Sequence, residues 1–184
     1  MKKWGELKQA TLDKLFMSAE EAQQQGYLEK FAYLANEGLN MIANGVKPKI
    51  GVYETEVEED SAVVKMPDDF ISFTNMINYR NGEPDPTLIY LGDKSLKLNG
   101  AGKYTIYYNA EWETIPSGVK DDTELDIDSS VLVCLPTYIA SQLLSQDDIQ
   151  RSTMLKNDFE LMLSRMDTDI FYQENHFKST GGWY

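Results

Sequence analysis

The sequence contains one Cys and one His in 184 residues. One Cys excludes an internal disulfide framework and any all-Cys metal site. One His excludes sites that draw two or three imidazoles from one chain, such as His-x-x-x-His zinc sites. Cations are also scarce, with 17 Lys and Arg against 30 Asp and Glu, a formal net charge of −13. A chain this acidic is poorly suited to gripping nucleic acid over its whole surface, because phosphate binding needs clustered cations. Long apolar runs are missing. The longest, Val131-Leu132-Val133-Cys134-Leu135, falls far short of the ~20 residues of a membrane span. Met1-Lys2-Lys3 faintly resembles a basic leader, but Glu6 and Lys8 follow and no apolar stretch develops. The expectation is a soluble protein made in a reducing cytoplasm, with no membrane partner.

What is present suffices for a core. The chain is 42% hydrophobic and 26% charged, and its length suits about one domain or one domain with an arm. From Trp4, apolar residues at Leu7, Leu12, Leu15 and Phe16 mark one broad helical face. Ser18 with Glu21 forms a capping box that starts a further turn, and Gly26 breaks it. Leu28, Phe31, Leu34, Ala35, Leu39 and Ile42 then recur at helical steps, with Gly45 expected as the residue just past the helix end. Gly38 sits mid-helix, where it costs ~1 kcal/mol relative to Ala, and close helix packing explains it.

From Val46 to about Tyr108 the period changes to that of strands, with short β segments and Gly or Asn turns about every ten residues. Asn81-Gly82, Gly92-Asp93 and Asn99-Gly100 are the turn signals, and the block reads as a meander of antiparallel hairpins. Glu111 to Asp128 is an acidic connector. Helix returns at Asp128 or Ser129, both plausible N-caps. Val131 to Leu144 should be the most buried helix, kinked or divided by Pro136. Asp147-Asp148 would cap a last helix whose apolar stripe runs through Met154, Leu155, Phe159, Met162 and Met166. The fold class is α+β: a mainly helical bundle of N-terminal helices and two C-terminal helices, with an inserted antiparallel β-hairpin or meander block. The expected division is a single domain over 1–168, with helices in 4–45, a β insertion over 46–110 and helices in 128–166, and an aromatic C-terminal arm over 169–184.

Few residues offer chemistry. Glu54, Glu56, Glu58, Glu59 and Asp60 form one acidic cluster, and Asp121, Asp122, Glu124, Asp126 and Asp128 another. Paired carboxylates can hold Mg²⁺ or transfer protons. Here Glu54-Glu56-Glu58 and Glu124-Asp126-Asp128 alternate on expected extended chain and lack the spacing of a metal loop, so they read as solvated, charged outer faces of the kind that guards a sheet edge. Cys134 lies in the most apolar run and reads as an inert core residue. The chain has no Gly-rich phosphate loop and no G-x-S-x-G; Asn99-Gly100-Ala101-Gly102-Lys103 imitates part of a phosphate loop but sits between two strands and reads as a hairpin turn. No catalytic, metal or cofactor site is expected.

The arm holds Phe171, Tyr172, Phe177, Trp183 and Tyr184, with His176 among them and no regular period. Aromatics at a chain end anchor well to a partner, because they bury large area while losing few rotors. Phe171, Tyr172, His176, Phe177, Trp183 and Tyr184 are therefore the candidate partner interface; the competing reading folds the arm back on its own core.

The element order carries a resemblance. Met66-Pro67-Asp68-Asp69-Phe70-Ile71, the strands Ser95-Leu96-Lys97-Leu98 and Tyr104-Thr105-Ile106-Tyr107-Tyr108, the acidic connector with Glu124-Leu125-Asp126-Ile127, and the helix Val131 to Asp148 follow one another. Over roughly residues 1–166 this resembles the head–tail connector proteins (adaptor or head-completion proteins) of tailed bacteriophages. The resemblance implies a non-enzymatic virion protein at the head–tail junction. It would form a homo-oligomeric ring, typically of twelve copies, that binds the portal protein and a downstream neck or tail protein. Genomic DNA would pass through without specific binding, and the charge of −13 would keep free subunits apart and the lumen repulsive to DNA. Three alternatives remain: the larger "tail tubular" adaptor of a short-tailed phage; in another class, a metal-dependent hydrolase or nuclease built on the acidic clusters; and a generic acidic adaptor of a non-viral bacterium.

Overall fold

The computed structural model describes residues 2–85 and 87–174, with side chains described through Met166. It is an α+β protein with antiparallel sheets. The chain divides into two compact units, one built from Met1–Ile42 and Glu113–Tyr184 and the other from Ala43–Trp112.

The first unit is helical. Helix α1 spans Trp4–Leu15 and buries Trp4, Leu7, Thr11, Leu12 and Leu15. Glu6 starts it: its carboxylate accepts hydrogen bonds from the backbone N–H of Lys2 at 2.8 Å and of Lys3 at 3.4 Å. Those bonds hold the Glu6 carboxyl below its ordinary pKa. Helix α2, Ala19–Gln24, carries the expected capping box, with Glu21 N–H donating to Ser18 Oγ at 3.2 Å and Ser18 N–H to Glu21 Oε2 at 2.7 Å. Gly26 ends this segment with φ +69°. A short 3₁₀ turn, Leu28–Lys30, leads into α3, Phe31–Gly45, where Phe31, Ala35, Leu39 and Ile42 are buried. Gly45 is the last residue of α3 and lacks the left-handed φ expected of a residue beyond the helix end.

Gly38 lies on α3 for a packing reason. A Cβ there would meet Tyr138 Cδ1 at 2.8 Å and Leu135 Cδ2 at 3.0 Å. Both belong to helix α4, Ser129–Leu143, which buries eleven of its fifteen residues. Asp128 is its N-cap, accepting from Ser130 N–H at 2.8 Å. Pro136 sits inside α4 without dividing it. The carbonyl four residues earlier loses its helical donor, and the burial of the segment offsets that cost. Helix α5, Ile149–Glu174, packs on α4 and is capped by Asp148, which accepts from Arg151 N–H at 3.0 Å. Asp147 does not join this cap; its carboxylate accepts from the Tyr27 hydroxyl at 2.7 Å.

Among the described residues the second unit holds eight strands in two sheets. One contains β1 (Lys49–Val57), β8 (Gly102–Ala110), β4 (Tyr79–Arg80) and β5 (Glu83–Pro84) in that order, with β3 (Phe70–Phe73) also paired to β8. The other runs β2 (Ser61–Lys65), β7 (Ser95–Asn99), β6 (Ile89–Gly92). Their inward residues share one core, including Val57, Met66, Phe70, Leu96, Leu98, Tyr104, Ile106 and Tyr108. The alternating pattern of β8 puts every second residue from Tyr104 to Ala110 into that core.

Two expected hairpins form. Asn81 and Gly82, with φ of 52° and 80°, join β4 to β5. Between β6 and β7 the turn lies one residue later than expected, at Asp93-Lys94, both with positive φ. The third expectation fails. Residues 99–103 are no hairpin turn, because β7 and β8 belong to different sheets. Gly100 and Gly102, with φ of +106° and +144°, let the chain cross over, and Arg80 Nη1 donates to the Asn99 carbonyl at 2.7 Å to hold the crossing. Arg80 Nε also pairs at 3.2 Å with Asp85, whose side chain is only 5% exposed. Burial alone would raise the Asp85 pKa; hydrogen bonds from the Thr87 hydroxyl and N–H and the Arg80 charge outweigh it and hold the carboxyl low.

Candidate functional site

The candidate arm lies largely beyond what the structure describes. His176, Phe177, Trp183 and Tyr184 fall outside the described residues. Phe171 and Tyr172 belong to the last turns of α5, which runs on past Met166 to Glu174.

The acidic clusters are placed. Glu54 and Glu56 share the exposed face of β1 with Ile50 and Val52, as strand alternation requires. Lys103, opposite Glu56 on β8, reaches it at 4.0 Å. The second cluster is not a free solvated loop. Trp4 N–H donates to the Thr123 carbonyl at 3.0 Å and Gly5 N–H to the Asp121 carbonyl at 2.9 Å, while Leu125 N–H donates to the Lys2 carbonyl at 2.8 Å. The connector thus satisfies backbone donors that the start of α1 leaves open. Lys8 adds an ion pair to Asp121. Gly5 permits the approach, since a Cβ there would lie 3.0 Å from Asp121 Cβ and from its carbonyl oxygen. A shallow cavity of about 280 Å³ follows, lined by Lys2, Glu124, Leu125, Asp126, Ile127 and Ser129. Among the described residues no three His, Cys, Asp or Glu side chains converge as metal ligands would. Cys134 is buried, its thiol donates to the Ser130 carbonyl at 3.4 Å, and burial pushes its pKa up, so little thiolate forms.

What the sequence reading missed is exposed apolar surface on the helical unit. Phe16 was expected on the inner face of α1. It instead terminates α1 in the left-handed region, φ 54° and ψ 45°, with 86% of its surface exposed. A bulky residue there is strained, by roughly 1–2 kcal/mol. The Arg151 guanidinium lies 4.4 Å from its ring centroid and donates to the Lys14 carbonyl, fixing the ring outward. Ile149 is 70% exposed. A cavity of about 520 Å³ lined by Met17, Gln25, Tyr27, Leu144 and Asp147 belongs to the same unit. On α5, Met154 was expected in the inner stripe but stands 61% exposed, and Leu161, two turns on, is 52% exposed. Phe159 and Met166 do face inward. Thus α5 leaves two apolar side chains, Met154 and Leu161, outside its packed face. The Ser18–Glu21 capping box marked where a further helical turn starts, but nothing in the local sequence marks a Phe as left-handed.

Among the described residues no helix is long and apolar enough to cross a membrane. Comparison with protein-family models and with curated proteins finds no match to this chain.

Proposed function

We propose that the chain is a structural subunit of the head–tail connector of a tailed bacteriophage. It assembles as a ring, of about twelve copies by resemblance, between the portal and the next neck or tail protein. It resides in the virion, performs no catalysis and lets DNA pass without specific binding.

The observation that carries this reading is the element order together with the residues that mark it. Met66 to Phe70 form the turn into β3, with Phe70 N–H donating to the Pro67 carbonyl at 3.1 Å. Tyr104 to Tyr108 lie in β8, the strand to which β1, β3 and β4 all pair. Val131 to Asp148 supply α4 and the cap of α5. Helices precede and follow the β insertion, as the resemblance implies. The exposed Phe16, Ile149, Met154 and Leu161 support it as well, being apolar surface of the kind that subunit interfaces bury. The net charge of −13 suits a channel wall that must not hold phosphates.

The test is co-expression with a portal protein of the same phage, followed by affinity purification of the portal. The connector reading expects stable co-purification in a defined ratio. A chain that never associates with a portal would refute it.

A further inference from the structure

Strand β1 is the outer strand of its sheet. It pairs with β8 from Lys49↔Ala110 to Val57↔Gly102, nine residues with no shift in register. Among the described residues no strand lies along its other side. Every second residue of such a strand turns its N–H and C=O away from the sheet, a ready template for another strand.

The other sheet edges of this unit are blunted: β3 has four residues, with a register shift between Phe70 and Ser72. β5 has two residues, one of them Pro84. β6 has four, with a register shift between Tyr90 and Gly92 that distorts its ladder. β2 has five and ends at Lys65. β1 is long and regular, and carries only charge as protection.

That charge is selective. Ile50 and Val52 are 49% and 53% exposed, and on the same face Glu54 and Glu56 follow. Cross-strand neighbours extend each half: Tyr107 lies opposite Val52, and its ring meets Tyr79 at 6.4 Å, while Thr105 and Lys103 lie opposite the two Glu. Glu58, Glu59 and Asp60 continue the acidic end. The face is therefore apolar at one end and acidic at the other. A second copy would pair antiparallel, and centred on Tyr53 it would set Glu54 beside Val52 and Glu56 beside Ile50, leaving the carboxylates without a counter-charge. A strand with cations there would be attracted instead.

The geometry points to the free edge of β1 as a strand-addition site for an extended segment of another protein, one that carries two apolar residues and two Lys or Arg at alternate positions. In the antiparallel orientation, cations come first and face Glu56 and Glu54, and apolar residues follow beside Val52 and Ile50. Backbone hydrogen bonds supply the grip, and the alternate side chains supply the choice of partner. This inference does not depend on a role in a phage neck.

The probe is a capped peptide, Thr-Lys-Thr-Lys-Thr-Val-Thr-Val-Thr, labelled for fluorescence anisotropy and titrated against the full chain. Controls replace both Lys by Glu, or N-methylate alternate backbone nitrogens. The expected result is that each control binds at least about tenfold more weakly, and that amide exchange across residues 49–57 slows at least about tenfold at saturation. The double substitution Glu54→Lys and Glu56→Lys, on an exposed face, should reverse the preference so that the Glu peptide binds better. Equal binding of the Lys and Glu peptides, or unchanged exchange along β1 with the Lys peptide bound, would overturn the inference. So would a dimer of the chain itself formed through β1.

Discussion

The ring of Tyr108 covers the α-carbon of Gly51, its registered partner across the β1–β8 ladder. A Cβ at Gly51 would lie 2.3 Å from Tyr108 Cζ and 2.6 Å from both Cε atoms. No rotamer shift within a packed core relieves three contacts of that kind, since Tyr108 is 4% exposed and its hydroxyl donates to Asp69 at 2.9 Å. Gly51→Ala should therefore destabilise the β unit by about 1–3 kcal/mol, the range of overpacking, although Ala is the better residue for an unfolded-state argument. Urea denaturation followed by Tyr fluorescence measures it. An unchanged midpoint would show that Tyr108 can swing aside.

Gly38→Ala sets two effects of known size against each other. Helix propensity favours Ala by about 1 kcal/mol. Contacts of 2.8 Å to Tyr138 and 3.0 Å to Leu135 oppose it at about 1–3 kcal/mol. The net expectation is a loss of about 1 kcal/mol. A far-ultraviolet thermal melt of the variant should show a lower midpoint; a higher one would mean that the helices are free to part at that point.

The Tyr108 hydroxyl should make stability fall at high pH. Burial first, then its hydrogen bond to Asp69 and that carboxylate's charge, push its pKa up to about 12. Its unfolded value is about 10. A group with a raised folded pKa contributes fully below the unfolded value and loses that contribution as pH climbs through the folded one. The window is thus pH 10 to 12, and the difference is worth at most about 2–3 kcal/mol. Burial first, then the Glu37 carboxylate, also raises the Tyr138 hydroxyl, so the helical unit should weaken in alkali too. Denaturation series at pH 9, 10, 11 and 12 on the native chain and Tyr108→Phe test this. The variant should show a shallower decline, and equal slopes would contradict the assignment.

Phe16→Gly separates folding from assembly. The substitution removes a left-handed strain of roughly 1–2 kcal/mol and forfeits a cation–π contact of about 0.5–1 kcal/mol with Arg151. With 86% of the ring exposed, little packing is lost. The isolated chain should become slightly more stable, while association with a portal or with other copies weakens. If thermal stability rises and association is unaffected, Phe16 has no role in assembly.

Local signals in the sequence carried the helices and much of the strand block. The Ser18–Glu21 capping box, the Asp128 cap, the Asn81-Gly82 turn and the close packing at Gly38 all depend on residues a few positions apart or on one missing Cβ. What was not legible depends on contacts distant in sequence. β1 closes on β8, the last strand of the block, so the pairing of Gly51 with Tyr108 has no local signature. Asn99-Gly100 has turn chemistry, yet the chain there changes sheets, because Leu96 and Leu98 pack into one layer and Tyr104 and Ile106 into the facing one. The acidic connector looked like a solvated run until the N–H groups of Trp4 and Gly5 were seen to need its carbonyls. Phe16 and Met154 fit an apolar period and still face outward, since periodicity fixes a face only when something packs against it. Of the candidate arm, His176, Phe177, Trp183 and Tyr184 stay an expectation from composition alone.

Imaging by negative-stain electron microscopy, with the chain alone and mixed with the portal of the same phage, addresses the central claim most directly. The connector account predicts rings of uniform diameter and copy number seated coaxially on one end of the portal. Particles that stay the size of a single subunit, with portals bare in the mixture, would contradict it.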